Sequence, residues 1–138
     1  MKLTKSADYA MRLLLHLAKT NNAETMPNLS EKLYVSYNNI VKLVQKLNKG
    51  GLVCTIQGKL GGVLLALPAK DITLKQVIDI IDGPTQLVEC ASQKTSCELV
   101  GCCELQGVFD SLQSKINDHL QSVNLAHVLE NSYQEVLG

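Results

Sequence analysis

The chain has 138 residues, enough for one modest domain or for a small domain with an added oligomerisation helix. It has four Tyr, one Phe and no Trp, so its core must be aliphatic, which favours helices. The first 62 residues carry nine Lys or Arg against three Asp or Glu, whereas the other 76 carry four against ten. The basic half is a candidate polyanion binder. Since no apolar run approaches the roughly 20 residues of a membrane span and no signal peptide is visible, we expect a cytoplasmic protein without a membrane partner.

Three helices are predicted in the basic half. Apolar residues recur at helical spacing over residues 7–20, and Ser6 is available as the N-cap. A polar break is followed by a short helix over 27–33. After a tight connection, Ser36 is a second candidate N-cap, and it opens a third helix that ends near Gly50. Two short helices joined by a tight turn predict a helix-turn-helix.

The remaining elements follow in a simple order. Two β-prone runs, 52–56 and 63–67, flank a glycine-rich turn and predict a hairpin, which is a wing when it directly follows a helix-turn-helix. A further helix is predicted over 73–82. Residues 104–123 form a long helix with a narrow apolar stripe, which indicates packing against a partner or else against the chain's own helices. A short terminal helix is predicted over 125–129.

We therefore predict a mainly α fold with a small β-hairpin. Residues 1–82 form the winged helix-turn-helix DNA-binding domain, residues 83–103 form a cysteine-bearing loop, and residues 104–138 form the dimerisation and terminal helices. The expected assembly is a homodimer on a double-stranded DNA operator.

Candidate DNA contacts lie in the first turns of the third helix, because those turns of a recognition helix face base edges. Asn pairs with adenine, Ser and Tyr hydroxyls bond phosphates or bases, and Lys attracts the backbone. Asn38 and Asn39 could instead only cap the helical turn, and Lys59 in the wing could be merely solvated. The candidates are Ser36, Tyr37, Asn38, Asn39, Lys42 and Lys59.

Four of the five cysteines are clustered, in the order Cys90, Cys97, Cys102 and Cys103. In a reducing cytoplasm such a group indicates ligands or redox groups rather than structural disulfides. The paired spacing of structural zinc sites is absent. Thiolates spread over a loop suit an iron-sulfur cluster, which needs ligands from several directions. Zinc, redox-active thiols and unligated thiols remain alternatives at this point.

Several motifs together resemble the Rrf2 family of winged-helix iron-sulfur transcriptional regulators, of the IscR and NsrR type. Residues 36–42, 87–90 and 125–126 are most similar to the NsrR branch. The motifs that carry the family resemblance are Leu3-Thr4, Asp8-Tyr9-Ala10 with Arg12, Val35-Ser36, Gly58-Lys59-Leu60-Gly61-Gly62 with Leu65 and Pro68, and the cysteine loop.

The resemblance implies a cluster ligand set. Its cysteine spacing selects Cys90, Cys97 and Cys103, on a cluster for which we favour 4Fe-4S over 2Fe-2S. Asp8 of the partner subunit is the implied fourth ligand, with Cys102 and Glu104 as rivals. A first-turn Asp also suits the helix dipole without any metal role.

The resemblance also implies a repressor that senses nitric oxide or nitrosative stress by changing the angle or spacing between two recognition helices. Many relatives carry Arg at the position of Gln57, so this wing residue is expected to read DNA differently from the family norm. The alternatives are a family member that senses cluster supply, iron or redox state, and a zinc-bound or cluster-free DNA-binding protein. An enzyme is not expected, because His16, His119 and His127 lie in helical segments without a matching catalytic partner.

Overall fold

The computed structural model describes residues 2–87 and 104–137. The predicted mainly α fold with one hairpin is confirmed in these ranges. A 3₁₀ turn, Ala69–Asp71, joins the hairpin to the fourth helix. No helix in the described ranges is long and apolar enough to cross a membrane. The elements are α1 Lys5–Thr20, α2 Met26–Leu33, α3 Tyr37–Lys49, β1 Val53–Ile56, β2 Gly62–Leu65, α4 Leu74–Asp82, α5 Gln106–Ser122 and α6 Leu125–Leu137.

The start of α1 differs from the prediction. Thr4, not Ser6, is the N-cap, and its Oγ1 accepts a hydrogen bond from the Ala7 amide at 3.1 Å. The same hydroxyl donates to Asp82 Oδ1 at 2.6 Å, at the far end of α4. Ser6 therefore lies inside the first turn, because the cap two residues earlier gains a tertiary contact.

The other caps follow the local sequence more closely. Ser36 Oγ accepts from the Asn39 amide at 3.3 Å, which confirms the predicted cap of α3. Thr25 caps α2 in the same way, one residue before Met26. Tyr34, in the left-handed region at φ 55°, makes the tight turn between α2 and α3.

The core is aliphatic and is centred on α1, which contacts α2, α3, α4, α6 and β2. Each of these elements turns an apolar face inward. Burying such a side chain stabilises the fold by roughly 1.5 to 3 kcal/mol. The largest fully buried side chains are Leu13, Leu14, Leu29, Ile40, Leu47, Leu52, Ile72, Ile78 and Leu125.

The helix α5 has no residue in this core, whereas α6 contributes the buried Leu125 at its start. No residue of α5 is buried, and its apolar stripe is exposed at Leu105, Val108 and Leu112. The chain then returns to the body, where the Leu125 amide donates to the Ile72 carbonyl at 3.0 Å. The terminal helix α6 extends to Leu137, well beyond the predicted 125–129. The predicted boundaries after residues 82 and 103 stay predictions.

We expect Leu125→Ala to destabilise the protein by about 2 to 5 kcal/mol, because it leaves a cavity under a fully buried side chain. Urea unfolding at fixed protein concentration measures the change. Leu60→Ala is the control, since Leu60 is 95% exposed and its loss should cost less than about 0.5 kcal/mol. Equal effects of the two substitutions would contradict a structural role for the returning C-terminal segment.

Candidate DNA interface and cysteine segment

The predicted DNA-reading side chains share the exposed side of α3. Its opposite side is buried through Ile40, Leu43, Val44 and Leu47, and this orients the helix. Tyr37 is 52% exposed, and Asn38, Asn39 and Lys42 are exposed as well. Ser36 is exposed, but its hydroxyl oxygen already accepts the capping bond, so it retains its proton for a further partner.

The wing stands beside the start of α3. Its strands pair antiparallel, with Val53 opposite Leu65 and Ile56 opposite Gly62. Tyr37 and Gln57 line one open groove of about 420 Å³ between helix and wing. Lys59 is exposed in the hairpin turn outside this groove. The structure thus brings Gln57 close to the recognition helix and leaves Lys59 free to reach outward.

A second cleft, of about 480 Å³, separates the beginning of α1 from α3. Lys5, Ser6 and Tyr9 line it from α1, opposite Asn39 and Lys42 of the recognition helix. The contribution of α1 to this cleft could not be predicted from the sequence. The basic composition of the first half indicated a polyanion surface, but only the packing of α1 beside α3 brings Lys5 next to Lys42 in one cleft.

Glu24 is the one buried charged residue in the described part of the chain, at 8% exposure. Its Oε1 lies 3.2 Å from Lys32 Nζ and 3.4 Å from His16 Nε2. His16 Nε2 makes no hydrogen bond to a described residue, so its contact with Glu24 is one of proximity. Burial raises the pKa of Glu24, but the hydrogen bond and charge of Lys32, together with His16, outweigh it and hold the pKa below its ordinary 4.5.

The predicted cluster ligands Cys90, Cys97 and Cys103, with their rival Cys102, lie outside the described residues. The described cysteine, Cys54, is a half-buried free thiol on β1. Nowhere in residues 2–87 and 104–137 do three His, Cys, Asp or Glu side chains gather as a metal site.

Two carboxylates of the predicted ligand set are described. Asp8 Oδ2 lies 3.0 Å from Arg12 Nε, and the two side chains are 48% and 62% exposed. Glu104 is exposed at the start of the α5 region. Both carboxylates are therefore accessible to a ligand outside the described chain.

Residues 88–103 are called the cysteine segment here. The described residues just before it are hydrogen-bonded to α5. The Leu87 amide donates to Gln113 Oε1 at 2.8 Å. The side-chain nitrogen Nε2 of Gln113 donates to Thr85 Oγ1 at 3.2 Å and to Asn117 Oδ1 at 3.1 Å. Leu87, the last described residue before the segment, is thus held on the side of the long helix.

The helix before that segment, α4, is hydrogen-bonded to α3 and to the cap of α1. Lys46 Nζ, on α3, donates to the Ile81 carbonyl at 3.4 Å. Thr4, at the cap of α1, donates to Asp82. A Cβ on Gly50 would lie 2.6 Å from Ile80, so α3 and α4 also approach closely. The end of α4 therefore contacts both elements that line the basic cleft.

A family model described as an iron-dependent transcriptional regulator, Rrf2, matches residues 3–131. The chain belongs to the Rrf2 family. The Rrf2 resemblance drawn from the sequence is thereby confirmed, and membership makes the chain a DNA-binding transcriptional regulator. Among curated relatives, the HTH-type transcriptional regulator NsrR of Halalkalibacterium halodurans is 32% identical over 134 residues, covering 95% of this chain and 92% of the relative. NsrR of Shouchella clausii is 35% identical over 111 residues, covering 78% and 74%.

Solved structures of Rrf2 proteins show the same fold. T. potens IscR has a TM-score of 0.76 at 21% identity, over 96% of this chain and 88% of that one. CymR of B. subtilis, a global cysteine regulator, has a TM-score of 0.77 at 20% identity, over 95% and 98%. At these identities the likeness concerns the fold, and it confirms the winged helix.

We expect this Rrf2 protein to lose the stabilisation contributed by Glu24 in acid. Because the folded pKa lies below the unfolded one, the carboxylate stabilises the fold above the unfolded value, and this stabilisation disappears as pH falls through the folded pKa. Urea unfolding of the wild type and Glu24→Gln from about pH 6 to about pH 3 should therefore give a free-energy difference that shrinks below about pH 4.5.

Glu31→Gln is the matched control, because Glu31 is exposed on the adjacent helix. Its difference from the wild type should stay near zero across the range. A Glu24→Gln difference that grew in acid would reverse the assigned direction of the pKa shift.

Proposed function

We propose that this regulator is a homodimeric repressor whose iron-sulfur cluster makes operator binding sensitive to nitric oxide. The observation that carries the proposal is the attachment of the residues just before the cysteine segment, because Leu87 is bonded to α5 and α4 is bonded to α3. A change transmitted to these residues has a short physical route to the exposed side of α3. The similarity to NsrR regulators supports the choice of signal.

The exposed turns of α3 enter the major groove in this proposal. Asn38 and Asn39 read base edges, while Ser36, Tyr37 and Lys42 bond bases or phosphates. These residues share the outward side of one capped helix, as base reading requires. The wing contributes Gln57 at the groove beside Tyr37 and Lys59 at its turn. We assign these two to the neighbouring minor groove or backbone. The amide of Gln57 bonds a base edge where many relatives have Arg.

The cleft between α1 and α3 holds a backbone phosphate in the same complex. Lys5, Lys42 and Lys46 line it together with Ser6 and Tyr9, so three cationic and two hydroxyl-bearing side chains surround the cleft. Such a combination of cations and hydroxyls is the usual protein surface for phosphate oxygens. The contact fixes the register of the recognition helix without reading sequence.

Cys90, Cys97 and Cys103 hold the cluster, and Asp8 of the partner subunit is the fourth ligand. Thiolates are the usual donors to iron-sulfur clusters, so the three cysteines fit the group, and the Asp8 carboxylate is a weaker oxygen donor. When bound, the cluster supplies iron that reacts with nitric oxide, and we favour 4Fe-4S over 2Fe-2S. The Asp8 carboxylate is half exposed and paired with the Arg12 guanidinium, and an exposed pair of this kind is weak enough to be given up for a metal at small cost.

The signal reaches DNA through α4. Lys46 joins its end to the recognition helix, and Thr4 joins it to the cap of α1. A shift of the Ile81 carbonyl therefore moves the side chain of Lys46, which also lines the phosphate cleft. The two states need only differ in their affinity for DNA, and each must favour a different arrangement of these contacts.

Dimerisation uses the exposed stripe of α5. Val108 and Leu112 flank a shallow groove of about 460 Å³ with Gly107 and Ser111, whose small size lets a second helix approach closely. A second copy of this chain is the occupant, because two recognition helices about one DNA turn apart are what a symmetric operator demands.

A second candidate is a regulator of this family with another signal, namely cluster supply, iron or redox state. The likeness in fold to CymR, described as a global cysteine regulator, favours keeping it. A zinc-bound or cluster-free DNA-binding protein is a more distant candidate. Metal analysis and the response profile separate these candidates from the leading one.

We expect Lys5→Gln to lower the slope of log affinity against log salt by about 1, because one phosphate contact is lost from the cleft. Lys19→Gln is the matched control, since Lys19 is exposed at the other end of the same helix. Fluorescence anisotropy with a duplex selected in vitro by the protein measures both. Identical slopes for Lys5→Gln and the wild type would remove the cleft from the interface.

We expect anaerobic titration with nitric oxide to abolish the visible absorbance of the cluster and to weaken operator binding by about 5- to 150-fold, the usual range of allosteric coupling. Both signals should change at the same nitric oxide equivalents. DNA affinity that stayed constant while the absorbance disappeared would refute the sensor proposal.

Serine variants of the cysteines provide the controls for this titration. Cys90→Ser, Cys97→Ser and Cys103→Ser should each lower the iron content of the anaerobic protein, whereas Cys54→Ser should not. If Cys102→Ser loses iron and Cys103→Ser does not, Cys102 is the ligand in place of Cys103.

A further inference from the structure

A backbone contact joins the wing to the helix-turn-helix at Glu24. The Glu24 amide donates to the Val63 carbonyl at 2.9 Å, and the Val63 amide donates to the Glu24 carbonyl at 2.7 Å. Glu24 thus adds a third, one-residue strand to the outer edge of β2. Gly62, at φ 151°, makes the approach feasible, because a Cβ there would lie 2.5 Å from the Glu24 carbonyl oxygen.

The side chain of the same residue is fastened on the opposite side. Its Oε1 accepts from Lys32 Nζ at 3.2 Å, and its Oε2 accepts from Asn28 Nδ2 at 3.5 Å, both on α2. His16 on α1 lies 3.4 Å from Oε1. Glu24 therefore links β2 to two helices, and its side chain is 10% exposed.

The charge of Glu24 needs an explanation in this place. Residues 1–62 contain only Asp8, Glu24 and Glu31 as acids against nine bases, and any carboxylate there repels DNA phosphates. Burying a carboxylate also costs desolvation energy, which pairing with Lys32 offsets here. The remaining cost, repulsion of phosphate by a carboxylate in the basic half, is explained if the contacts of Glu24 contribute to DNA binding.

We propose that Glu24 is a positioning residue for DNA binding, which holds the wing at the distance from α3 at which both contact one duplex. The inference rests on the proposed function only in requiring that α3 and the wing bind DNA together. The groove between them, lined by Tyr37 and Gln57, has Thr25 in its wall, directly after Glu24. Loosening Glu24 frees the wing to move as a hairpin, with Gln57 and Lys59 carried along.

Whether DNA affinity rises or falls when a carboxylate is removed distinguishes a positioning role from simple charge repulsion. Glu31→Gln removes one exposed carboxylate from α2 and should leave affinity unchanged or raise it, because repulsion of phosphate falls. Glu24→Gln removes the same charge but loosens the wing, and we expect it to weaken binding by about 3- to 30-fold. The assay uses the full chain, purified anaerobically, with a duplex selected in vitro by the wild type.

A double-substitution cycle identifies the wing as the element affected. In a Lys59→Ala background, Glu24→Gln should weaken binding by less than about twofold further, since the wing contact is already lost. Hydroxyl-radical footprints should lose protection at the wing contact but keep it where α3 binds. Amide hydrogen exchange at Val63 should accelerate in Glu24→Gln and remain unchanged in Glu31→Gln.

The binding results distinguish the positioning role of Glu24 from the proposed DNA contact of the wing. If Glu24→Gln raises affinity as Glu31→Gln does, or if its effect adds fully to that of Lys59→Ala, the positioning role is overturned. If Lys59→Ala alone leaves affinity unchanged, the proposed wing contact fails instead. Gly62→Ala gives a second approach from the backbone side and should reproduce the footprint of Glu24→Gln, while circular dichroism verifies that each variant is folded.

Discussion

Burial of one face of α1 is the interaction on which the other elements depend. Ala7, Ala10, Leu13 and Leu14 are fully buried, and the helix contacts α2, α3, α4, α6 and the wing. Because all of these elements pack against the same helix, a change in its buried face would displace several of them together. The two alanines leave room for close packing near the end of α1 that meets α4 and the basic cleft.

Charge is arranged around this core with a functional consequence. Lys5, Lys42 and Lys46 line one cleft, and like charges that lie close together repel one another. A phosphate bound there, as proposed, would relieve that repulsion. Lys46 Nζ also donates to a carbonyl at the end of α4, where a cation is favoured by the helix dipole. In the proposed complex, the same side chain would therefore contact DNA and hold α4 against α3.

Local signals predicted the elements well, and tertiary contacts account for the differences. Ser36 and the glycine-rich turn of the wing act through neighbouring residues, so their roles could be read from the sequence. Thr4 and Ser6 are equally good caps, and the choice of Thr4 depends on Asp82, 78 residues away. The length of α6 was underestimated, since its sequence has no Gly or Pro between Leu125 and Leu137 that would end the helix earlier.

The residues of the candidate site fall into the same two groups, those set by the local sequence and those brought together by tertiary contacts. Helical spacing sufficed to predict that Asn38, Asn39 and Lys42 share an exposed side, because one buried face fixes the other. The share of α1 in the basic cleft and the attachment of Leu87 to Gln113 could not be predicted, since both join segments distant in sequence. The assignment of ligands among the clustered cysteines rests on family resemblance, because spacing alone left zinc and free thiols open.

The exposed stripe of α5 has a consequence for how such a regulator responds to its own abundance. Leu105, Val108 and Leu112 give a lone subunit an apolar strip in water, so pairing of subunits in the proposed dimer is favoured by mass action as the concentration rises. An operator with two half-sites holds two subunits side by side and raises their effective concentration into the millimolar range. Subunits too dilute to pair in solution can then pair on DNA, and occupancy of the operator rises more steeply than the amount of protein.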